Sequence, residues 1–249
     1  MSIAQNLTNV RGIIETVAKK FSRTPPLLVA VSKTKEASLV KQAYEQKQRD
    51  FGENYVQELL EKAPVLPDDI RWHYIGHLQS NKCNNLIKGV KNLYMVQSVD
   101  SVKLANRLHD ACKSSRSTGS GKLKVLVQVN TSGEPSKFGC EPKDCTSLVS
   151  HVLKSCDQLE FSGLMTIGRM SSKPEPDCFK CLLQCRSALV KDLGLDESLV
   201  GVSMGMSSDF ELAIEMGSTL VRVGTSIFGS RPAGALTNET TSPSEPTKK

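Results

Sequence analysis

Short apolar runs alternate with stretches of helical spacing along most of this chain. Runs at residues 27–31, 49–51, 72–75, 93–97, 124–129, 159–165, 199–203 and 220–223 are rich in the β-branched and aromatic residues of buried strands. Between them, residues 37–46, 56–63, 81–89, 101–113, 142–155, 177–193 and 208–216 carry apolar positions three and four apart, the period of a helix with one buried face. Strand followed by helix, repeated around eight strands, predicts an α/β fold: one (β/α)8 barrel of TIM type. An additional N-terminal helix precedes it, with Ile3, Leu7, Val10, Ile14 and Val17 along one face. Ser101 is placed to cap the fifth of these helices, counting the N-terminal one, and Ser208 and Glu211 stand at capping-box spacing. The second strand carries the weakest signal, being short and polar at its start.

Two segments break the alternation: 114–121, rich in Ser and Gly, and 171–176, rich in Ser and Pro. Both read as flexible insertions. From residue 232 to 249 the chain has hardly an apolar residue and is expected to be a disordered polar tail, leaving 1–231 as the barrel. The length of 249 residues suits a single barrel. The net charge of +6 is mild, and without a long basic run it gives no reason to expect a nucleic-acid partner. No apolar stretch reaches the ~18 residues of a membrane span, and no secretory h-region is present, so a cytoplasmic protein is expected. Arg11, Lys19, Lys20 and Arg23 against Glu15 also fit a mitochondrial presequence, although the apolar face over the same residues reads as an ordinary amphipathic helix. Without a secretory signal the eight cysteines should stay reduced. Cys178, Cys181 and Cys185 share one helix face and read as small packing groups, not as a metal site, since no second pair has ligand spacing.

In a barrel of this kind, chemistry gathers where the strands end. After the first strand comes Lys33, whose stem would lie among apolar neighbours. Desolvation favours a neutral amine, the form that attacks an aldehyde. A solvated basic turn, with Lys35 two residues on, is the plain alternative. After the second strand come Glu53 and Asn54, the former the one acid expected at the mouth, and after the third comes His77, which could line a ligand ring. The last two strands lead into Gly205 with Ser207 and Gly224 with Thr225. Barrels often bind phosphate there, using backbone N–H groups that glycine lets come close, and the helix starting near Ser208 would point its positive end at the same spot. An amine opposite a phosphate cradle suits a phosphorylated aldehyde, of which pyridoxal phosphate is the obvious case. Arg222 could then face the pyridine nitrogen, although alone it reads equally as half of a salt bridge.

Six ordered motifs carry a closer resemblance. They are Ala30-Val31-Ser32-Lys33-Thr34-Lys35, Phe51-Gly52-Glu53-Asn54-Tyr55, His73-Tyr74-Ile75-Gly76-His77, Gly163-Leu164-Met165-Thr166, Ser203-Met204-Gly205-Met206-Ser207 and Val221-Arg222-Val223-Gly224-Thr225. Over residues 5–231 the chain resembles the pyridoxal phosphate homeostasis proteins (the YggS/PROSC family), which are similar in fold to the N-terminal barrel of alanine racemase. The resemblance implies a Schiff base at Lys33, phosphate contacts from Ser207, Gly224 and Thr225, Arg222 at the pyridine nitrogen, and Asn54 and Met204 near the cofactor. It also implies a binding protein that stores, buffers or delivers pyridoxal 5'-phosphate without established turnover, with apo-enzymes as recipients.

A racemase-like enzyme is the alternative. It needs a second acid/base group, which in alanine racemase would be a tyrosine from a separate domain; here Tyr44, Tyr55, Tyr74 and Tyr94 all lie early in the chain. Lack of that domain favours a monomeric carrier. A third reading, an interaction protein with an idle site, predicts no cofactor.

Overall fold

The computed structural model describes residues 2–116, 121–169 and 176–230. The polar tail from 232 and nearly all of segment 171–176 fall outside these residues, and segment 114–121 is described only at its ends. Eight parallel strands close into a barrel in sequence order, the eighth pairing with the first. They are β1 (Leu27–Val31), β2 (Asp50–Glu53), β3 (Arg71–Tyr74), β4 (Leu93–Val99), β5 (Leu123–Gln128), β6 (Leu159–Met165), β7 (Gly201–Ser203) and β8 (Leu220–Val223). A helix follows each: α2 (Ala37–Glu45), α3 (Val56–Lys62), α4 (Cys83–Gly89), α5 (Val102–Ser115), α6 (Cys145–Ser155), α7 (Pro176–Leu193), α8 (Phe210–Glu215) and α9 (Thr225–Phe228). The extra helix α1 (Ile3–Lys20) precedes β1, its start capped by Ser2 accepting from the Gln5 N–H. Its buried face is Leu7, Val10, Ile14 and Ala18, packed against the barrel, with the Asn6 amide bonded to the Ile227 carbonyl. The basic N-terminal segment is thus part of the fold.

Strand alternation sorts side chains into two layers. Leu28, Ala30, Phe51, Trp72, Val125 and Val221 point outward and build the core shared with the helices. Val29, Met95, Leu126, Met165 and Leu220 form a smaller inner cluster. Strand β2 runs two residues past its sequence signal, to Glu53, and both its end residues, Asp50 and Glu53, are buried carboxylates, each with a cationic partner from another element. Charged residues hide a strand from any reading based on apolar runs.

Helix starts repeat the pattern of partial agreement. Ser101 caps α5 by accepting from the Leu104 N–H. Ser208 caps nothing: α8 begins at Phe210, and the nearby carboxylate of Asp209 accepts from the Met206 N–H. Short 3-10 turns at Ser80–Lys82 and Pro142–Asp144 precede α4 and α6 and take up the first residues of two predicted helices. Cys178 and Cys185 are buried on α7, whose apolar face packs with α6. Among the described residues no helix is long and apolar enough to cross a membrane.

Candidate functional site at the barrel mouth

The ladder between β1 and β2 continues one residue past β1, through the Ser32 N–H to the Gly52 carbonyl. Alternation therefore turns the Ser32 side chain outward, where its hydroxyl donates to Glu53 Oε1 at 2.6 Å, and turns half-buried Lys33 toward the mouth. The turn that carries Lys33 is clamped from behind. Lys62 Nζ, buried on α3, donates to the Ser32 carbonyl, to Glu53 Oε1 and to Glu58 Oε2 at 2.8–2.9 Å. Glu58 Oε2 also accepts from the N–H of Thr34, which sits at φ 61, the left-handed region. Glu53 is thus not at the mouth. It follows inward-facing Gly52, so it points into the helix layer and pairs with Lys62 of α3.

Two carboxylates share the single ammonium of Lys62, and Glu53 Oε2 is buried with no partner. Burial pushes the Glu53 carboxyl up to about 7 from 4.5, more than Lys62 and Ser32 pull it down. Between those two values the folded chain binds the extra proton, so this group's contribution to stability is full below about 4.5 and is lost as pH rises toward 7. Glu53→Gln should flatten that slope. Melting temperatures of the two proteins, measured from pH 5 to 7.5, should diverge by the equivalent of roughly 1–3 kcal/mol; parallel curves would mean that Glu53 does not titrate there.

Across the mouth, Gly205 has φ +98, and a Cβ there would lie 2.6 Å from Ala213 Cβ and 3.0 Å from Phe210 Cα. Its carbonyl accepts from the Arg222 N–H. This fixes the loop after β7 so that Ser207 Oγ accepts from the Gly224 N–H at 3.2 Å and, more distantly, from that of Ser226 at 3.5 Å. The result is a small concave set of backbone N–H groups and a hydroxyl, suited to phosphate oxygens. The helix that begins here is α9, with Gly224 as its N-cap, not α8. Ser226 was not legible as part of this set, since nothing distinguishes it from its neighbours except the start of that short helix.

Arg222 follows Leu220 on the inner face of β8 and is almost wholly buried. Its Nη2 donates to the Thr166 carbonyl at 2.7 Å and its Nη1 to Ser203 Oγ. Burial lowers its pKa to about 10, with Asp209 acting against the shift, so it remains a cation at neutral pH. Asn54 stands at the end of β2 with its Oδ1 buried and unpartnered. Its backbone is held by the Tyr74 hydroxyl and by Gly76, where a Cβ would lie 2.1 Å from the Asn54 carbonyl oxygen.

Met204, expected near the cofactor, and His77, expected to line a ligand ring, are placed as follows. Met204 is fully buried in the cluster between the sheet and the helices, because outward-facing Met204 follows inward-facing Ser203. Its side chain faces the helix layer and does not line the mouth. His77 sits at the rim, stacked 3.6 Å from Phe138 and with Nδ1 3.6 Å from Asp100. The mouth therefore brings together Lys33, Asn54, Ser207, Arg222, Gly224 and Thr225.

Comparison with known proteins places the chain in a family. The family described as alanine racemase, N-terminal domain, matches residues 5–232. The chain is 48% identical over 238 residues to the pyridoxal phosphate homeostasis protein of Homo sapiens, across 89% of this chain and 85% of that one. It is 41% identical over 239 residues to the protein of the same name in Pseudomonas aeruginosa, across 94% and 98%. PipY of Synechococcus elongatus PCC7942, solved with PLP bound, superposes with a TM-score of 0.75 at 32% identity, covering 92% of this chain and all of that one.

Proposed function

The chain belongs to the pyridoxal phosphate homeostasis proteins, and on that premise we propose that it holds pyridoxal 5'-phosphate at the barrel mouth, buffers it and releases it to enzymes that need it. One observation carries this reading. Arg222 is a buried cation to which no carboxylate is hydrogen-bonded among the described residues, one strand from Lys33 and beside the Ser207–Gly224 cradle.

When bound, the cofactor supplies an aldehyde, a pyridine nitrogen and a phosphate. The mouth has a group for each. Lys33 offers the amine for covalent attachment. Ser207, Gly224 and Thr225 offer hydroxyl and backbone donors for the phosphate. Asn54 brings a buried oxygen that lacks a partner. Arg222 has N–H groups beyond the two it uses and would offer one to the ring nitrogen.

That last pairing favours holding over turnover. Arginine keeps its proton, so the ring nitrogen facing it stays unprotonated and the ring is a poorer electron sink. Thr225 and Ser226 are exposed, which leaves the phosphate end open to water and favours exchange. Of the tyrosines, Tyr44 donates to Asp69 and Tyr74 to backbone carbonyls, and burial raises the Tyr74 pKa further, so neither is poised as an acid/base partner. Every proposed contact comes from one barrel, which supports a monomer. Eight free cysteines, seven of them buried, support a reducing compartment such as the cytoplasm.

Incubation with pyridoxal 5'-phosphate followed by borohydride should fix the cofactor on the peptide that carries Lys33, read by mass spectrometry. A protein that stays colourless and unlabelled would end this reading. Rapid Lys33-dependent α-proton exchange on a panel of amino acids in D2O would replace the carrier with an enzyme.

A further inference from the structure

Below Arg222 a line of polar side chains crosses the barrel interior through five strands. Arg222 Nη1 donates to Ser203 Oγ at 2.5 Å, and Ser203 Oγ donates to Gln97 Oε1 at 2.7 Å. Gln97 Nε2 donates to His73 Nδ1 at 3.0 Å, and His73 Nε2 donates to Asp50 Oδ1 at 3.0 Å. Arg71, at the far end, binds both oxygens of Asp50. Ser203, Gln97 and His73 are wholly inaccessible to solvent.

Donation runs one way along the whole line, from the cation at the mouth to the anion at the floor. Each neutral member is oriented from both sides. Ser203 accepts from Arg222, so its own proton goes to Gln97. The Gln97 amide is then forced to present Nε2 to His73, which must be neutral and protonated on Nε2. Burial lowers the His73 pKa, in keeping with a neutral ring. Burial alone would raise Asp50, but the bonds from Arg71 and His73 outweigh it and hold the carboxyl below its ordinary range. The aligned dipoles carry the influence of Asp50 to a guanidinium to which no carboxylate is hydrogen-bonded among the described residues. A primary amide is a poor proton relay, so the line orients charge and does not deliver protons.

We propose that Gln97, His73 and Ser203 are positioning residues that hold the charged guanidinium of Arg222 against the pyridine nitrogen and so set the affinity for that nitrogen. This rests on the reading of Arg222 given above. Without the line, the guanidinium would lose its acceptor at Ser203 and its fixed direction, although its charge would remain.

The test uses two ligands, pyridoxal 5'-phosphate and its benzene analogue, in which C–H replaces the ring nitrogen. Both keep the aldehyde and the phosphate. Dissociation constants are measured for wild type, Gln97→Met, Ser203→Ala and Arg222→Met below their melting temperatures. Ser203→Ala is the smaller change and serves if Gln97→Met fails to fold. Arg222→Met, Gln97→Met and Ser203→Ala should each weaken the pyridine ligand by about tenfold, in line with loss of a hydrogen bond to a charged group, and the analogue by less than about twofold. If Arg222→Met is selective for the pyridine ligand but Gln97→Met and Ser203→Ala weaken both ligands equally, or neither, the positioning role is wrong and the place of Arg222 stands. If Arg222→Met itself weakens both ligands equally, Arg222 does not face the ring nitrogen and the proposal falls with that reading.

Discussion

Lys33→Ala is expected to remove all borohydride-stable incorporation of pyridoxal 5'-phosphate while leaving weak reversible binding. Among the described residues, two lysines close to the Lys33 turn are already engaged. Lys62, behind the same turn, is committed to three oxygens in the helix layer, and Lys35 is bonded to the Ser230 carbonyl. Arg222 is held by Ser203, the Thr166 carbonyl and the Gly205 carbonyl, and Ser207 by the Gly224 N–H. Two or three charge-assisted hydrogen bonds at ~1.5–3 kcal/mol each correspond to a dissociation constant somewhere between roughly millimolar and micromolar. Equilibrium dialysis with the phosphorylated cofactor and with unphosphorylated pyridoxal separates the contributions. The variant should retain only the former. Stoichiometric labelling that survives in Lys33→Ala would place the attachment elsewhere. Complete loss of reversible binding would count against the cradle at Ser207, Gly224 and Thr225.

The residues proposed to hold the ligand were legible in the sequence because each lies at or just past the end of a strand, and a barrel gathers strand ends. β1, β6 and β8 occupy the residues their apolar patterns mark out. The supports behind those residues were not legible. Glu58 and Lys62 are four apart on a helix, a spacing that reads as an exposed surface pair; only tertiary packing buries Lys62 beneath the Lys33 turn. His73, Gln97 and Ser203 look like interruptions of apolar strands, and their partnership spans sequence separations that no local pattern encodes.

Strand parity explains why the side chains of Glu53 and Met204 face the helices. Gly52 and Ser203 face inward, so Glu53 and Met204 must face the helices. Counting alternation from a single inward anchor on each strand would have sent both away from the mouth. The Ser208 capping pattern failed for a different reason: the tight loop after Gly205 uses Asp209 to hold the Met206 N–H, which delays α8 to Phe210.

That loop is also where one methyl group should do the most damage. In Gly205→Ala, alanine would have to adopt φ +98, costing roughly 1–2 kcal/mol, and its Cβ would lie 2.6 Å from Ala213 Cβ and 3.0 Å from the Phe210 backbone. Neither neighbour is the free end of a flexible chain, so α8 must move, at a further ~1–3 kcal/mol. The melting temperature should fall by roughly 5–15 °C. Any shift of the loop displaces Ser207 from the Gly224 N–H and disturbs the bond from the Arg222 N–H to the Gly205 carbonyl. Affinity for the phosphorylated cofactor should therefore drop much more than affinity for pyridoxal. Gly224→Ala provides the contrast. Its φ of −115 suits any residue, and its Cβ would come no closer than 3.2 Å to Val31, a contact relieved by a few tenths of an ångström. That variant should melt within a few degrees of wild type. Equal destabilisation in the two variants would show that the packing of Gly205 against α8 is not what fixes the loop, and a Gly205→Ala protein that binds both ligands normally would show that the cradle does not depend on it.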